Sequence, residues 1–122
     1  MNSVFKEAIK AGSTALAVTP TPLANLNRER IVELAARYRL PAIYPDTRWT
    51  NTGGLMSYAA DRTERYRRVA VIVDKILKGA KPADLPVEQP TKFDFVINLK
   101  TAKALGVKIP SHLLMAADKV IE

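Results

Sequence analysis

Apolar residues recur along this chain at two spacings, one typical of helices and one typical of strands. Apolar positions three and four residues apart predict five helices, over residues 4–10, 27–38, 61–78, 99–105 and 111–118. In the longest of them, Asp61 and Glu64 match a capping box, and Gly79 follows as a helix stop. The helical part of the fold is therefore spread along the whole chain.

Two unbroken apolar runs flank the second predicted helix. Thr14–Val18 is closed by two prolines and is predicted to be a central strand, buried on both faces of a parallel sheet. Pro41–Pro45 is the next strand, so that strand, helix and strand form a right-handed crossover. Leu55–Tyr58 and the alternating segment Lys92–Asn98 add two further strands. The sequence predicts an α/β fold with a mainly parallel sheet.

Two segments show neither spacing. From Asp46 to Thr52 the chain is polar apart from Trp49, which predicts a loop. Gly53-Gly54 then permits a hinge, a tight turn or a place where a ligand meets bare backbone. Residues 81–90 hold three prolines and no helical pattern, which predicts an extended connector.

Composition narrows the possible partners. The chain of 122 residues has a formal net charge of +7, but its basic residues are spread from Lys6 to Lys119 and interleaved with acidic ones, which disfavours nucleic-acid binding. No apolar run approaches the roughly 20 residues of a membrane span. The charged residues Lys6, Glu7 and Lys10 interrupt any apolar core of a signal peptide, so the sequence as it stands predicts a cytoplasmic protein.

The sequence lacks the residue sets that catalysis or metal binding would need. There is no cysteine, and the single histidine, His112, has no nucleophile motif to accompany it. No phosphate-binding loop, nucleophile elbow or zinc-protease motif occurs. We therefore expect a protein that is not an enzyme, with no catalytic residues, no metal and no cofactor.

Polar residues that follow the first two strands are the candidate ligand contacts. Thr19 and Thr21 follow the first strand and Asp46 follows the second, and open α/β sheets bind ligands at the carboxyl ends of their strands. Trp49 is a further candidate, because its ring could stack on a ligand. Each has a structural alternative: hydroxyls that stabilise a proline-rich turn, a carboxylate that bonds its own backbone or pairs with Arg48, and an aromatic ring that covers the core.

Several stretches resemble one family. Asp84–Phe93 and Val96–Gly106 look like the closing region of the ABC-transporter substrate-binding proteins, and Arg30–Ala36, Leu40–Tyr44 and Gly53–Tyr58 are similar to earlier parts of the same family. The resemblance implies a partial, three-layer, Rossmann-like architecture of the type I periplasmic binding proteins, in which two α/β lobes close over a small solute. It also adds Ser57 and Tyr58 to the candidate ligand contacts, and a hinge role to Gly53 and Gly54.

The resemblance covers only the C-terminal part of such proteins. It implies that residues 1–50 and 92–122 belong to the C-terminal lobe, and that residues 53–90 form an arm crossing to the other lobe. The expected function is that of a truncated module, or a remnant, that binds a small amino-acid-like solute, with an ABC permease as partner only within a full-length system. The alternative is a stand-alone cytoplasmic ligand-sensing or protein-interaction domain.

An apolar stripe on the longest predicted helix suggests self-association. Tyr66, Val69, Val73 and Leu77 would pack on a lobe that this chain does not include, so their surface needs a cover. We expect an obligate two-fold homodimer, which could form by exchange of the arm 53–90 about Gly53-Gly54.

Overall fold

One five-stranded sheet, with strands in the order of the chain, organises the protein. The computed structural model describes residues 1–122. The strands are β1 Leu16–Ala17, β2 Ala42–Tyr44, β3 Met56–Ala60, β4 Phe93–Asn98 and β5 Lys119–Ile121. The helices are α1 Asn2–Lys10, α2 Pro22–Leu26, α3 Arg28–Arg37, α4 Thr47–Asn51, α5 Arg62–Leu77, α6 Leu99–Leu105 and α7 Ser111–Ala116, with a 3₁₀ turn at Pro82–Asp84.

The sheet is parallel except at its middle. β1 pairs parallel with β2, β2 with β3, and β4 with β5. Between β3 and β4, the bonds from Asp61 N to Lys92 O (2.9 Å) and from Asn98 N to Leu55 O (2.8 Å) run in opposite chain directions, so this pair is antiparallel. The α/β class and the mainly parallel sheet are confirmed, as is the parallel pairing of the first two strands.

The strand predicted at Thr14–Val18 is shorter and less buried than the sequence suggested. β1 contains two residues, it lies at the edge of the sheet, and Ala15 and Ala17 are exposed. The prediction of a central strand buried on both faces was wrong. An apolar run cannot by itself reveal that no strand lies on its other side, because position in a sheet depends on distant pairing.

Two further differences concern short elements. The predicted loop from Asp46 to Thr52 contains α4, which Asp46 caps and whose Trp49 is buried. The last helix ends at Ala116 rather than near residue 118, and the chain then forms β5, which the sequence analysis missed. Elements of three to five residues present too few positions for either spacing to be recognised.

Two buried clusters hold the sheet to its helices. In the first, Tyr44 and Ala42 of β2 pack with Leu34 and Ala35 of α3 and with Trp49. In the second, Ile97 of β4 packs with Leu55, Ala102 of α6 and Ile109. Tyr44 lies opposite Ser57, and the next residue back along β3, Met56, joins the second cluster, so the clusters lie on opposite faces of the sheet.

The chain divides into two compact units, which are described separately. The first, the core unit, comprises Met1–Ala59 and Asp94–Glu122 and holds both buried clusters. The second, the arm unit, comprises Ala60–Phe93, with α5 as its main element. The assignment of residues 1–50, 53–90 and 92–122 to lobes of a larger protein stays a prediction. None of the helices is long and apolar enough to span a membrane.

Candidate ligand-binding site

The carboxyl ends of β1, β2 and β3 meet at one edge of the sheet because these strands are mutually parallel. The register pairs Ala17 with Ile43 and Tyr44 with Ser57. Continued by one or two residues, it brings Thr19 level with Pro45 and Asp46 level with Ala59, just beyond Tyr58. The strands thus gather several of the predicted contact residues at the edge where open α/β sheets bind ligands.

Asp46 and Arg48 form a hydrogen-bonded ion pair at this edge. The Oδ1 of Asp46 accepts hydrogen bonds from the backbone N and the Nε of Arg48, both at 2.9 Å, and its Oδ2 accepts from an Arg48 terminal nitrogen at 2.6 Å. The carboxylate is 14% exposed and the Arg48 side chain 45%. A fixed carboxylate and a more exposed guanidinium therefore lie side by side at the end of β2. Arg48 was considered in the sequence analysis only as a partner of Asp46.

The two threonines after β1 occupy different positions. Thr21 caps α2, with its Oγ1 accepting from Ala24 N at 3.1 Å. That bond leaves the hydroxyl hydrogen free to be donated elsewhere. Thr19 is exposed, two residues ahead of the cap. Both hydroxyls are thus at the surface of the edge.

Tyr58 gives the edge an aromatic surface. Tyr58 is about half exposed, and its ring meets Phe95 of β4 edge to face, with ring centroids 6.1 Å apart and an interplanar angle of 74°. The edge-to-face contact with Phe95 holds the Tyr58 ring in place. Phe95 was missed as a site residue, although its place in an alternating strand next to β3 is the signal that could have found it.

Trp49 and Ser57 are buried in the core unit rather than exposed at this edge. Trp49 is fully buried and stacks on Tyr44 at a centroid distance of 5.0 Å, which is the core-covering alternative considered for it. Ser57 is also fully buried, and its Oγ has no hydrogen-bond partner in the protein. Burial raises the pKa of Tyr44 to about 12. These residues support the edge from inside.

Gly53 and Gly54 have packing roles that the sequence did not distinguish. Gly53 adopts a φ of 109°, in the range that favours glycine, directly after α4. A Cβ on Gly54 would lie 2.7 Å from the Tyr44 ring and 2.8 Å from the Trp49 carbonyl oxygen. Because Gly54 has no Cβ, the Tyr44 ring and the Trp49 carbonyl can pack directly against it. A hinge role for either glycine stays a prediction.

The structure offers less support for a ligand or metal site elsewhere. A groove of about 680 Å³ lies in the core unit, and its lining includes Thr50, Asn98, Lys100 and Lys119. Asn98 and Thr101 are satisfied there by protein partners, since Asn98 Nδ2 donates to Thr50 O and Thr101 Oγ1 to Gly53 O. No group of three or more His, Cys, Asp or Glu residues is placed to hold a metal.

The sequence profile of the ABC transporter substrate binding proteins matches residues 1–121. The chain belongs to the ABC transporter substrate binding protein family. This confirms the resemblance identified from the sequence. No curated protein matches the chain.

Solved structures share this family's fold. A conserved domain protein from Vibrio cholerae O1 biovar El Tor is 24% identical, with a TM-score of 0.87. An ABC domain from Streptococcus pneumonia, solved in complex with L-Trp, is 28% identical, with a TM-score of 0.85. A ligand-free, open substrate binding protein with adhesive properties from Clostridium difficile is 21% identical, with a TM-score of 0.71. Each comparison covers 98% of this chain but only 40% of the other chain.

Proposed function

We propose that the edge formed by the carboxyl ends of β1, β2 and β3 binds a small amino-acid-like solute, as part of an ABC transporter substrate-binding protein. The observation that carries the proposal is the Asp46–Arg48 pair at the end of β2, with Tyr58 half exposed on the neighbouring strand β3. Because the chain spans 40% of the length of the solved relatives, both the solute and the permease partnership are part of the proposal.

The groups at this edge match the chemistry of a free amino acid. The positive charge of Arg48 is complementary to the carboxylate of the solute, and the negative charge of Asp46 is complementary to its ammonium group. Thr21 can add a hydroxyl donor and Thr19 a donor or an acceptor. The Tyr58 ring provides a surface for an apolar or aromatic side chain. The relative solved with L-Trp supports this choice of solute.

In this proposal Trp49 and Ser57 act through Arg48 and Tyr58, their neighbours in the chain. Trp49 anchors α4, which carries Arg48, and its stacking on Tyr44 ties that helix to β2. Ser57 is the residue before Tyr58 on β3, and its complete burial holds this part of the strand against the core. Neither has exposed surface, so we assign both to positioning rather than to direct contact.

The proposal extends to the location of the protein. Members of the family typically work outside the cytoplasm, in the periplasm or at the cell surface. Fractionation of cells that carry the natural gene tests whether this protein is found there.

Titration of the isotope-labelled protein with L-Trp, followed by NMR, tests the site. Shifts should concentrate at Thr19, Thr21, Arg48 and Tyr58. Asp46→Asn keeps a good cap for α4 but removes the charge, so it should weaken binding roughly tenfold with the fold intact. Asp74→Asn is the matched control, because Asp74 is an exposed helix residue paired only with Lys78. Shifts centred on His112 or on the groove by Lys100, or equal binding by both variants, would contradict the proposal.

A further inference from the structure

The segment after the 3₁₀ turn runs back along α5. Residues 86–92, here called the strap, form neither helix nor strand. Every residue of the strap lines a groove of about 900 Å³, whose opposite wall includes Arg65, Arg68 and Ile72 of α5. The strap and this wall both belong to the arm unit. The groove is therefore formed within one compact unit.

Two ion pairs join the strap to α5, and their spacing agrees on the two sides. Arg68 donates to both carboxylate oxygens of Glu88, with its Nε 2.8 Å from Oε2. Lys92 Nζ lies 3.1 Å from Asp61 Oδ2. Helical geometry separates positions 61 and 68 by about 10 Å, and an extended chain separates positions 88 and 92 by at most about 13 Å. The strap therefore runs antiparallel to α5 and is held at two points.

Few other interactions hold the strap in place. Residues 86–91 form no backbone hydrogen bonds, and Lys92 O accepts one, from Asp61 N at 2.9 Å. Pro86 and Pro90 have no N–H to donate. Val87 is 98% exposed, so burial of its side chain does not fix the strap either. The Glu88 end of the strap thus depends on the pair with Arg68.

We propose that the strap is a salt-dependent lid on α5, which closes when both ion pairs form and opens at its Glu88 end when they are screened. Exposed ion pairs stabilise weakly, and dissolved ions weaken them further. The side chains of Arg68 and Glu88 are 46% and 32% exposed, so ions have access to this pair. At the other end, the backbone hydrogen bond between Asp61 and Lys92 does not depend on charge and keeps the strap attached.

The lid covers an apolar residue of α5. Ile72 is half-buried, whereas Val71 and Val73 on either side of it are 39% and 47% exposed. Ile72 shares one face of α5 with Arg68, four positions earlier, and it lines the groove opposite the strap. Opening of the strap exposes Ile72 together with the guanidinium of Arg68. The salt concentration thus sets how much of this face of α5 is available.

The rate at which a thiol at position 72 is alkylated tests the proposal. The chain has no cysteine, so Ile72→Cys introduces a single reactive group. The uncharged reagent N-ethylmaleimide should react about threefold to tenfold faster in about 1 M sodium chloride than in low salt, because the Debye length there falls to about 3 Å. Glu88→Gln, added to Ile72→Cys, should accelerate the reaction similarly in low salt. Val73→Cys is the matched control, since Val73 is exposed and does not line the groove.

Charge reversal distinguishes the ion pair from a general loosening of α5. Arg68→Glu combined with Glu88→Arg should restore slow alkylation in low salt, whereas Asp74→Asn, which breaks the local pair with Lys78, should leave the rate unchanged. Equal rates at position 72 in low and high salt, an equal effect of salt on Val73→Cys, or a reversed pair that does not slow the reaction would overturn the proposal. If circular dichroism shows that Glu88→Gln does not fold, the salt series on Ile72→Cys decides by itself.

Discussion

The core unit and the arm unit are held together by different interactions. The core unit contains every buried residue of the two clusters, including Trp49, Leu34 and Ile97. In the arm unit, α5 has no buried residue, and polar contacts tie it to the segment that follows. Asp61 caps α5 and pairs with Lys92 at 3.1 Å, and Arg68 donates to Glu88. Burial dominates one unit and exposed ion pairs the other.

This difference indicates that the core unit contributes most of the stability of the chain. A buried aromatic side chain contributes several kcal/mol, whereas an exposed ion pair contributes on the order of 1 kcal/mol or less. A helix of the length of α5 is marginal without packing. We therefore expect the arm unit to open locally at much lower free energy than the core unit, as regions with few buried contacts do.

Truncation of one aromatic residue in each unit should give the largest difference in stability between the two units. Trp49→Ala should lower the free energy of unfolding by about 3–5 kcal/mol, because it leaves a cavity beside Tyr44. Tyr66→Ala, on the exposed face of α5, should cost less than about 1 kcal/mol. Urea unfolding followed by circular dichroism measures both. Equal losses would show that the arm unit buries more surface in solution than it does here.

Alkaline pH provides a second test that acts on the core unit. Because burial raises the pKa of Tyr44 to about 12, the unfolded chain loses this proton first, near pH 10. Stability should be unaffected below pH 10 and should fall as the pH rises toward 12, by up to about 3 kcal/mol. In Tyr44→Phe this part of the pH dependence should disappear. An unchanged alkaline profile in that variant would show that Tyr44 is solvated.

Two glycine substitutions compare steric crowding with open space. Gly54→Ala forces a methyl group against the Tyr44 ring and the Trp49 carbonyl, so we expect a cost of about 1–3 kcal/mol. Gly79→Ala has nothing within 4 Å and carries only the strain of a φ of 105°, about 1 kcal/mol. Thermal unfolding of both variants measures the difference. A reversed order would argue against the tight packing of the core unit.

Acidification should produce the smallest effect, and only in the arm unit. A hydrogen bond from Lys92 lowers the pKa of Asp61, and a hydrogen bond from Arg68 lowers the pKa of Glu88. Their stabilising contribution is present above the pKa that each carboxyl has in the unfolded chain, and it is lost as the pH falls through the lowered value. Amide exchange of α5 should therefore accelerate in acid relative to α3. Asp61→Asn, which keeps the cap, should weaken this pH dependence.

The sequence was informative where an element carries its own signals. The capping box at Asp61 and Glu64 marked the start of α5, since Asp61 Oδ1 accepts from Thr63 N at 2.8 Å and Glu64 N at 3.3 Å. Gly106, with a φ of 69°, marked the end of α6. The crossover through α3 followed from two apolar runs and a helical stripe. In each case the interactions concerned are local, so the residues that make them are close in sequence.

The sequence was less informative where an outcome depends on distant residues. The edge position of β1, the burial of Trp49 against Tyr44 and the contact of Tyr58 with Phe95 all follow from sheet order rather than from local pattern. For the candidate site, the strand-end rule predicted Thr19, Thr21 and Asp46, because it needs only the carboxyl ends of strands, and their role in binding stays a prediction. It could not predict which aromatic residue would be exposed, since that depends on packing.

The antiparallel pairing of β3 with β4 affects how the length of this chain can be changed by protein engineering. The arm unit leaves the core unit at Ala60 and returns at Phe93, and the hydrogen bond from Asp61 N to Lys92 O keeps the departing and returning strands side by side. The arm unit therefore begins and ends at neighbouring positions of the sheet. A two-residue hairpin turn such as Asn-Gly spans the gap between paired antiparallel strands. Residues 60–93 form a cassette that could be shortened, lengthened or replaced without rerouting the rest of the polypeptide.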